Sequence, residues 1–147
     1  MSWLVNDNYL EKLITREVKL LWSRMMNTQE ATEYIRNYFK KIFKDHDLSY
    51  LDDILHPEYW DDDIGIEGEN HIENSKNYLK EVFETINEAN VEVTNVNTKD
   101  NIISAYLEWT RNEKNKRIVY MKGIGIFEIN NRKIIKRHTY IYQRTEK

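Results

Sequence analysis

The residues of this chain best suited to chemistry are three consecutive acids, Asp61, Asp62 and Asp63, and an alternating run near the C-terminus, Ile134, Lys136, His138, Tyr140 and Tyr142. A carboxylate held at an apolar rim is desolvated, which raises its pKa toward the range where it exchanges protons at neutral pH. Residues two apart on a strand share a face. His138, Tyr140 and Tyr142 would then stand together as a titratable imidazole beside phenol donors, on a cavity wall. Alternation likewise groups Ile103, Ala105, Leu107 and Trp109, where the indole offers a flat surface to a ring or to the core. Tyr34, Tyr59, Trp60, Trp109, Met121 and Tyr142 are the side chains expected to touch a ligand in such a cavity. Each feature also has a plainer reading: a solvated acidic loop, a structural histidine, and aromatics that only fill the core.

Several other chemistries have no residues to carry them. The chain has no cysteine, so disulfides, thiolate metal sites and a cysteine nucleophile are excluded. The adjacent side chains of three successive Asp diverge, and the calcium-loop spacing is absent. His46, His56 and His71 lack paired metal-ligand spacing and read as surface residues, so no metal site is expected. With only four glycines there is no phosphate-cradling loop or dinucleotide fingerprint, and no cofactor is implied. No apolar run approaches membrane-spanning length, and the N-terminus lacks a basic, then apolar leader pattern. A cytoplasmic protein that avoids the membrane is the expectation.

Charge is unevenly spread beneath a net −3. Residues 45–110 hold 17 acids against 3 bases, and residues 111–147 hold 11 bases against 3 acids. The two regions are therefore able to attract each other. The basic residues lie at strand spacing, as on a solvated sheet, so nucleic acid is not an expected partner.

These residues need elements to position them. Leu10 to Met25 carries apolar residues three and four apart, the pattern of an amphipathic helix. Asn27 with Glu30 reads as a capping pair for a second helix, whose face is Ala31, Tyr34, Ile35, Tyr38, Phe39, Ile42 and Phe43. A short helix over Leu48–Leu55 precedes the only proline, Pro57, and a loop is expected from His56 to Glu69. Asn70 and Glu73 then open a helix with the stripe Ile72, Leu79, Val82, Phe83 and Ile86. Beyond Asn87 the period becomes two. Val91–Val96, Ile102–Thr110, Ile118–Ile129 and Lys133–Arg144 read as strands separated by Asn-rich turns. Helices first and sheet second predict an α+β domain of the size that buries one core.

Taken in order, His56-Pro57-Glu58-Tyr59-Trp60-Asp61-Asp62-Asp63, the strand end Leu107-Glu108-Trp109, and the hairpin from Lys122-Gly123-Ile124-Gly125-Ile126-Phe127 to Lys133-Ile134 resemble the nuclear transport factor 2-like superfamily, in particular its SnoaL-like polyketide-cyclase branch. The resemblance covers roughly residues 27–144 and implies a cone: N-terminal helices packed into a strongly curved antiparallel or mixed sheet that encloses a pocket. It divides the chain into an N-terminal helical extension, residues 1–26, and the cone domain, residues 27–147. Asp62 matches the position that the ketosteroid-isomerase branch uses as general base, and His138 and Tyr140 complete a candidate acid/base set. The terminal Asp that the SnoaL-like branch carries on its last strand is missing from Arg137-His138-Thr139-Tyr140-Ile141-Tyr142. Two functions follow: binding of a small apolar or aromatic molecule with acid/base chemistry of the isomerase, dehydratase or cyclase kind, or a non-catalytic binding or interaction module. A homodimer is expected in either case.

Overall fold

Asn27 starts the first helix of the computed structural model, which describes residues 26–63 and 70–145. Its side chain accepts from the Glu30 amide at 2.8 Å while Glu30 reaches back to the Asn27 amide at 3.5 Å, the reciprocal cap predicted above. Helix α1, Thr28–Phe39, buries Ala31, Ile35, Tyr38 and Phe39. It continues into a π-helical turn, Lys40–Lys44, closed by the Asp45 amide on the Lys40 carbonyl. The wider turn keeps Ile42 inside. Helix α2, Tyr50–Ile54, adds Leu51 and Ile54 to the core.

The chain then enters a strand where a loop was expected. Strand β1, Leu55–Asp61, lies at the edge of the sheet and runs parallel to the last strand. An edge position tolerates Pro57, which has no N–H to give to a ladder. Leu55, Tyr59 and Asp61 point inward and His56, Glu58 and Trp60 are more exposed. The proline and the polar Asp61 concealed this alternation.

Helix α3, His71–Thr85, is capped by Asn70, whose side chain accepts from the Ile72 and Glu73 amides. Four long strands follow: β2 Asn90–Lys99, β3 Ile102–Glu113, β4 Lys116–Asn130 and β5 Lys133–Arg144. All four contain the segments predicted for them. The sheet order is β1-β5-β4-β3-β2, antiparallel except for the β1/β5 pair. The architecture is thus α+β, with a curled mixed sheet around α1 and α3.

Curvature comes from bulges. Residues Asn95 on β2, Tyr120 on β4, and Ile135 and Tyr142 on β5 are each skipped by the partner strand. Each extra residue bends its strand and increases the twist. Asn95 takes a positive φ of 46°, a conformation Asn tolerates better than most residues. The concave face packs Phe127, Ile103, Leu107 and Ile134 against Phe39, Ile35 and Leu55, all buried. Phe39 and Phe127 meet edge to face at 6.2 Å. Among the described residues no helix is long and apolar enough to cross a membrane. The expected helix over Leu10–Met25, and with it the separate extension 1–26, lies outside the described residues, apart from the buried Met26.

Candidate functional site

The bulge at Ile135 decides what the cone contains. Ile134 is fully buried opposite Ile129, but Lys136 pairs with Glu128, so one β5 residue is unmatched. A one-residue slip exchanges the faces of every side chain beyond it. Arg137, Thr139 and Ile141 therefore turn inward. Lys136, His138 and Tyr140 turn outward, so the face that period two assigned to the cavity wall is broken after Ile134.

Between this wall and α3 lies a cavity of about 330 Å³. Its apolar lining comes from Phe43, Leu79, Val82, Trp109, Met121 and Ile141, with Tyr78 and Tyr120 beside them. Its polar lining comes from Tyr38, Asp61, Asp63, Ser75, Arg137 and Thr139, with Arg144 further along β5. Glycine makes room for the rings: a Cβ on Gly123 would stand 3.2 Å from the Trp109 ring and 2.5 Å from the Tyr140 carbonyl oxygen.

Arg137 is the central group of the polar part. Its guanidinium lies over the Phe39 and Phe127 rings, 5.6 and 5.5 Å from their centroids. Nε donates to Thr139 Oγ1 at 3.2 Å and Nη1 to the Tyr38 hydroxyl at 3.4 Å. A guanidinium has five N–H donors, and no described carboxylate forms a direct ion pair with this one. Donors are left over for a ligand. Burial disfavours its charge, but Tyr38, Tyr59, Asp61 and Asp63 outweigh that and hold its pKa above the ordinary arginine value.

Asp61 pairs with Arg137 across the β1/β5 ladder and is 4% exposed. Its carboxylate accepts from the Tyr59 hydroxyl at 3.0 Å and the Asp63 amide at 2.9 Å, which satisfies a buried acid. The Asp61 amide donates to His71 Nδ1 at 3.0 Å, which places the neutral imidazole's proton on Nε2. Asp63 extends the ladder with its side chain, accepting from the Thr139 amide at 2.8 Å. Burial raises the Tyr59 phenol well above its usual pKa, with Tyr38 and Asp61 adding to the effect and Arg137 opposing it. Tyr38 is raised by burial as well, opposed chiefly by Arg137. Ser75, one turn beyond His71 on α3, is buried and lines the cavity, and its hydroxyl has no hydrogen-bond partner among the described residues.

Of the candidate acid/base residues, Asp62 and His138 do come together. Asp62 Oδ2 lies 3.5 Å from His138 Nδ1, and Asp62 Oδ1 accepts from Trp60 Nε1 at 2.5 Å. This pair stands on the outer side of the sheet, because Asp62 alternates with its inward neighbours Asp61 and Asp63. Tyr140 is also outside, 65% exposed. Among the ligand-contact candidates, Trp109 and Met121 line the cavity. Tyr34 ties α1 to the β4–β5 turn by donating to the Arg132 carbonyl at 2.9 Å. Tyr59 supports Asp61 from below. Trp60 packs on the His71 ring at 4.2 Å, and Tyr142 is exposed against Tyr106. Among the described residues no group of three or more His, Asp or Glu side chains is placed to hold a metal ion.

Arg137, Ser75 and Arg144 were not singled out from sequence. The inward arginines depend on bulges that no local pattern announces. Ser75 had a usable signal, since it falls four residues before Leu79 on the α3 stripe.

No family model matches this sequence, and no curated protein matches it. Solved structures do match its fold. TsrD from Streptomyces laurentii superposes with a TM-score of 0.64 at 14% identity, over 80% of this chain and 91% of that one. A protein named for SnoaL-like polyketide cyclases, from Jannaschia sp. CCS1, gives 0.61 at 13% identity over 80% and 89%. An LEH-like epoxide hydrolase from M. tuberculosis gives 0.59 at 13% over 80% and 86%. The chain has the nuclear transport factor 2-like cone fold of these neighbours.

Proposed function

We propose that this protein binds a small, largely apolar or aromatic molecule in the cone, with an oxygen of that molecule at Arg137, in the manner of a SnoaL-like protein. The observation that carries the reading is a guanidinium with spare donors opening on an apolar cavity. Ligand sites combine such apolar walls with a few convergent polar groups. Fold alone does not choose a reaction, but the neighbours' names include cyclases and an epoxide hydrolase. Acid/base chemistry here would use Asp61 and Asp63 as proton acceptors and Arg137 as the group that draws electrons from a bound oxygen. We prefer this set to Asp62, His138 and Tyr140 because only its members line the cavity.

The test is titration with acetylnaphthalene, a flat ketone that fits the volume, followed by amide and methyl NMR shifts. At about 0.3 kcal/mol per heavy atom, binding near 1 mM or tighter is expected. Shifts should centre on Trp109, Met121, Thr139 and Ile141. Linear, non-saturating shifts, or saturation confined to the outer face, would refute the reading.

A second reading, a dimeric interaction module, is favoured by one observation. Tyr106, Ile126, Tyr140 and Tyr142 are exposed on the convex face, where Tyr106 and Tyr140 flank Ile124 across the ladder. A homodimer through this face predicts a doubled mass by light scattering at high micromolar concentration and a monomer for Tyr140→Glu.

A further inference from the structure

We propose that the molecule held in the cavity carries a carboxylate, which Arg144 receives at one end while Arg137 receives a neutral oxygen at the other. This rests on the cavity being a ligand site, as proposed above.

The first support is geometric. On β5, Gly123 pairs with Ile141 and Lys122 with Gln143, so Tyr142 is skipped. Without that bulge, Gln143 would follow Arg137, Thr139 and Ile141 inward and Arg144 would point away. With it, Arg144 pairs with Met121 and lines the cavity. Bulges commonly re-aim a side chain at a site.

The second support is the lack of a competing partner among the described residues. The guanidinium groups of Arg36, Arg111, Arg117 and Arg137 each contact a protein oxygen; those of Arg132 and Arg144 do not, and of these two only Arg144 lines the cavity. Arg144 makes no hydrogen bond or ion pair with the described residues. Its charge is available to a ligand.

The third is the distribution of charge. Asp61 and Asp63 both stand close enough to Arg137 to raise its pKa. A ligand carboxylate there would gain one guanidinium and meet two acids. Since Coulomb energy falls as the reciprocal of distance, two acids at twice the guanidinium's distance would cancel its attraction. A carbonyl or hydroxyl oxygen takes the same donors without that repulsion, and the buried Ser75 hydroxyl is on hand for it. Among the described residues no acid lines the cavity beyond Asp61 and Asp63, so the opposite argument applies at Arg144. The β4 partners of the two arginines, Phe127 and Met121, are separated by about 20 Å of strand. Both side chains nevertheless line the same cavity of about 330 Å³, a volume that holds a fused-ring molecule, and Trp109, Met121 and Ile141 wall it.

The experiment compares 6-hydroxy-2-naphthoate, which carries a carboxylate at one end and a neutral oxygen at the other, with its methyl ester by calorimetry at low salt and neutral pH, on the native chain and on Arg144→Gln. Arg144 is exposed, so its substitution leaves the core intact, and thermal melting checks this. The native chain should bind the carboxylate about fivefold more tightly than the ester, the size of a partly exposed charge pair. Arg144→Gln should abolish that preference while ester affinity stays within about twofold. Equal affinities for the native chain, or a preference that survives Arg144→Gln, would overturn the carboxylate assignment and leave the cavity reading standing. Binding of neither probe would overturn both.

Discussion

Replacing Gly123 by alanine tests the account of how the cone is built. In an unconstrained strand the change would be mildly stabilising, about 0.4–1 kcal/mol, because alanine restricts the unfolded chain more than glycine does. Here the new Cβ would lie 2.5 Å from the Tyr140 carbonyl oxygen and 3.2 Å from Trp109 Cζ3. The first contact is with backbone, and relief requires β5 to move away from β4 just where the Tyr142 bulge begins. Overpacking of this kind costs about 1–3 kcal/mol, so the clash outweighs the entropic gain. Gly125→Ala meets side chains instead, Phe127 Cε2 at 2.8 Å and Leu107 Cδ1 at 2.9 Å, both fully buried. It should also destabilise, but less, since rings and methyls shift more easily than a ladder. At about 2–4 °C per kcal/mol for a domain of this size, a net loss of about 1–2 kcal/mol in Gly123→Ala should lower Tm by about 2–8 °C in a calorimetric scan. Urea unfolding should agree in sign and rank. A Gly123→Ala variant as stable as the native chain, or a Gly125→Ala variant that suffers more, would refute the close β4/β5 approach.

Two further outcomes follow from the polar part of the cavity. Tyr59→Phe removes the 3.0 Å donor to the buried Asp61 carboxylate and should cost about 1.5–3 kcal/mol in denaturant unfolding; a loss below about 0.5 kcal/mol would mean that Asp61 draws no support from it. The Tyr38 and Tyr59 phenols are raised above 10.0, their unfolded value, by burial. The unfolded chain therefore releases these protons first, so stability is complete below about pH 10 and falls as pH rises beyond it. Ultraviolet titration should show both tyrosinates appearing only with unfolding, whereas a reversible pH 10 ionisation of all tyrosines in the folded state would contradict their burial.

How far these features could be read from sequence depends on whether a signal is local. Asn27 with Glu30 and the apolar stripe behind them are local: cap, period and burial agree within four turns, and α1 forms as expected. The strands beyond Asn87 are equally legible, because Asn-rich turns bracket alternating apolar residues and a single face must be buried. Strand β1 was hidden because Pro57 and Asp61 stand where a strand reader looks for β-branched residues, and only its parallel pairing with β5, more than 70 residues away, makes the segment extended. The lining of the cavity was misread for a related reason. Period two is a sound rule within an unbroken strand, and it correctly joins His138 to Tyr140, but a skipped residue at Ile135 exchanges the faces from that point on. The same exchange carries Arg137 inward to face Asp61, while the one-residue alternation in the acidic run sends Asp62 out to His138. Sequence thus paired Asp62 with His138 and placed them on the wrong side of the sheet from the cavity. A bulge is fixed by closure of the whole sheet around α1 and α3, so the residues whose positions depend on it become visible only once the strands are assembled.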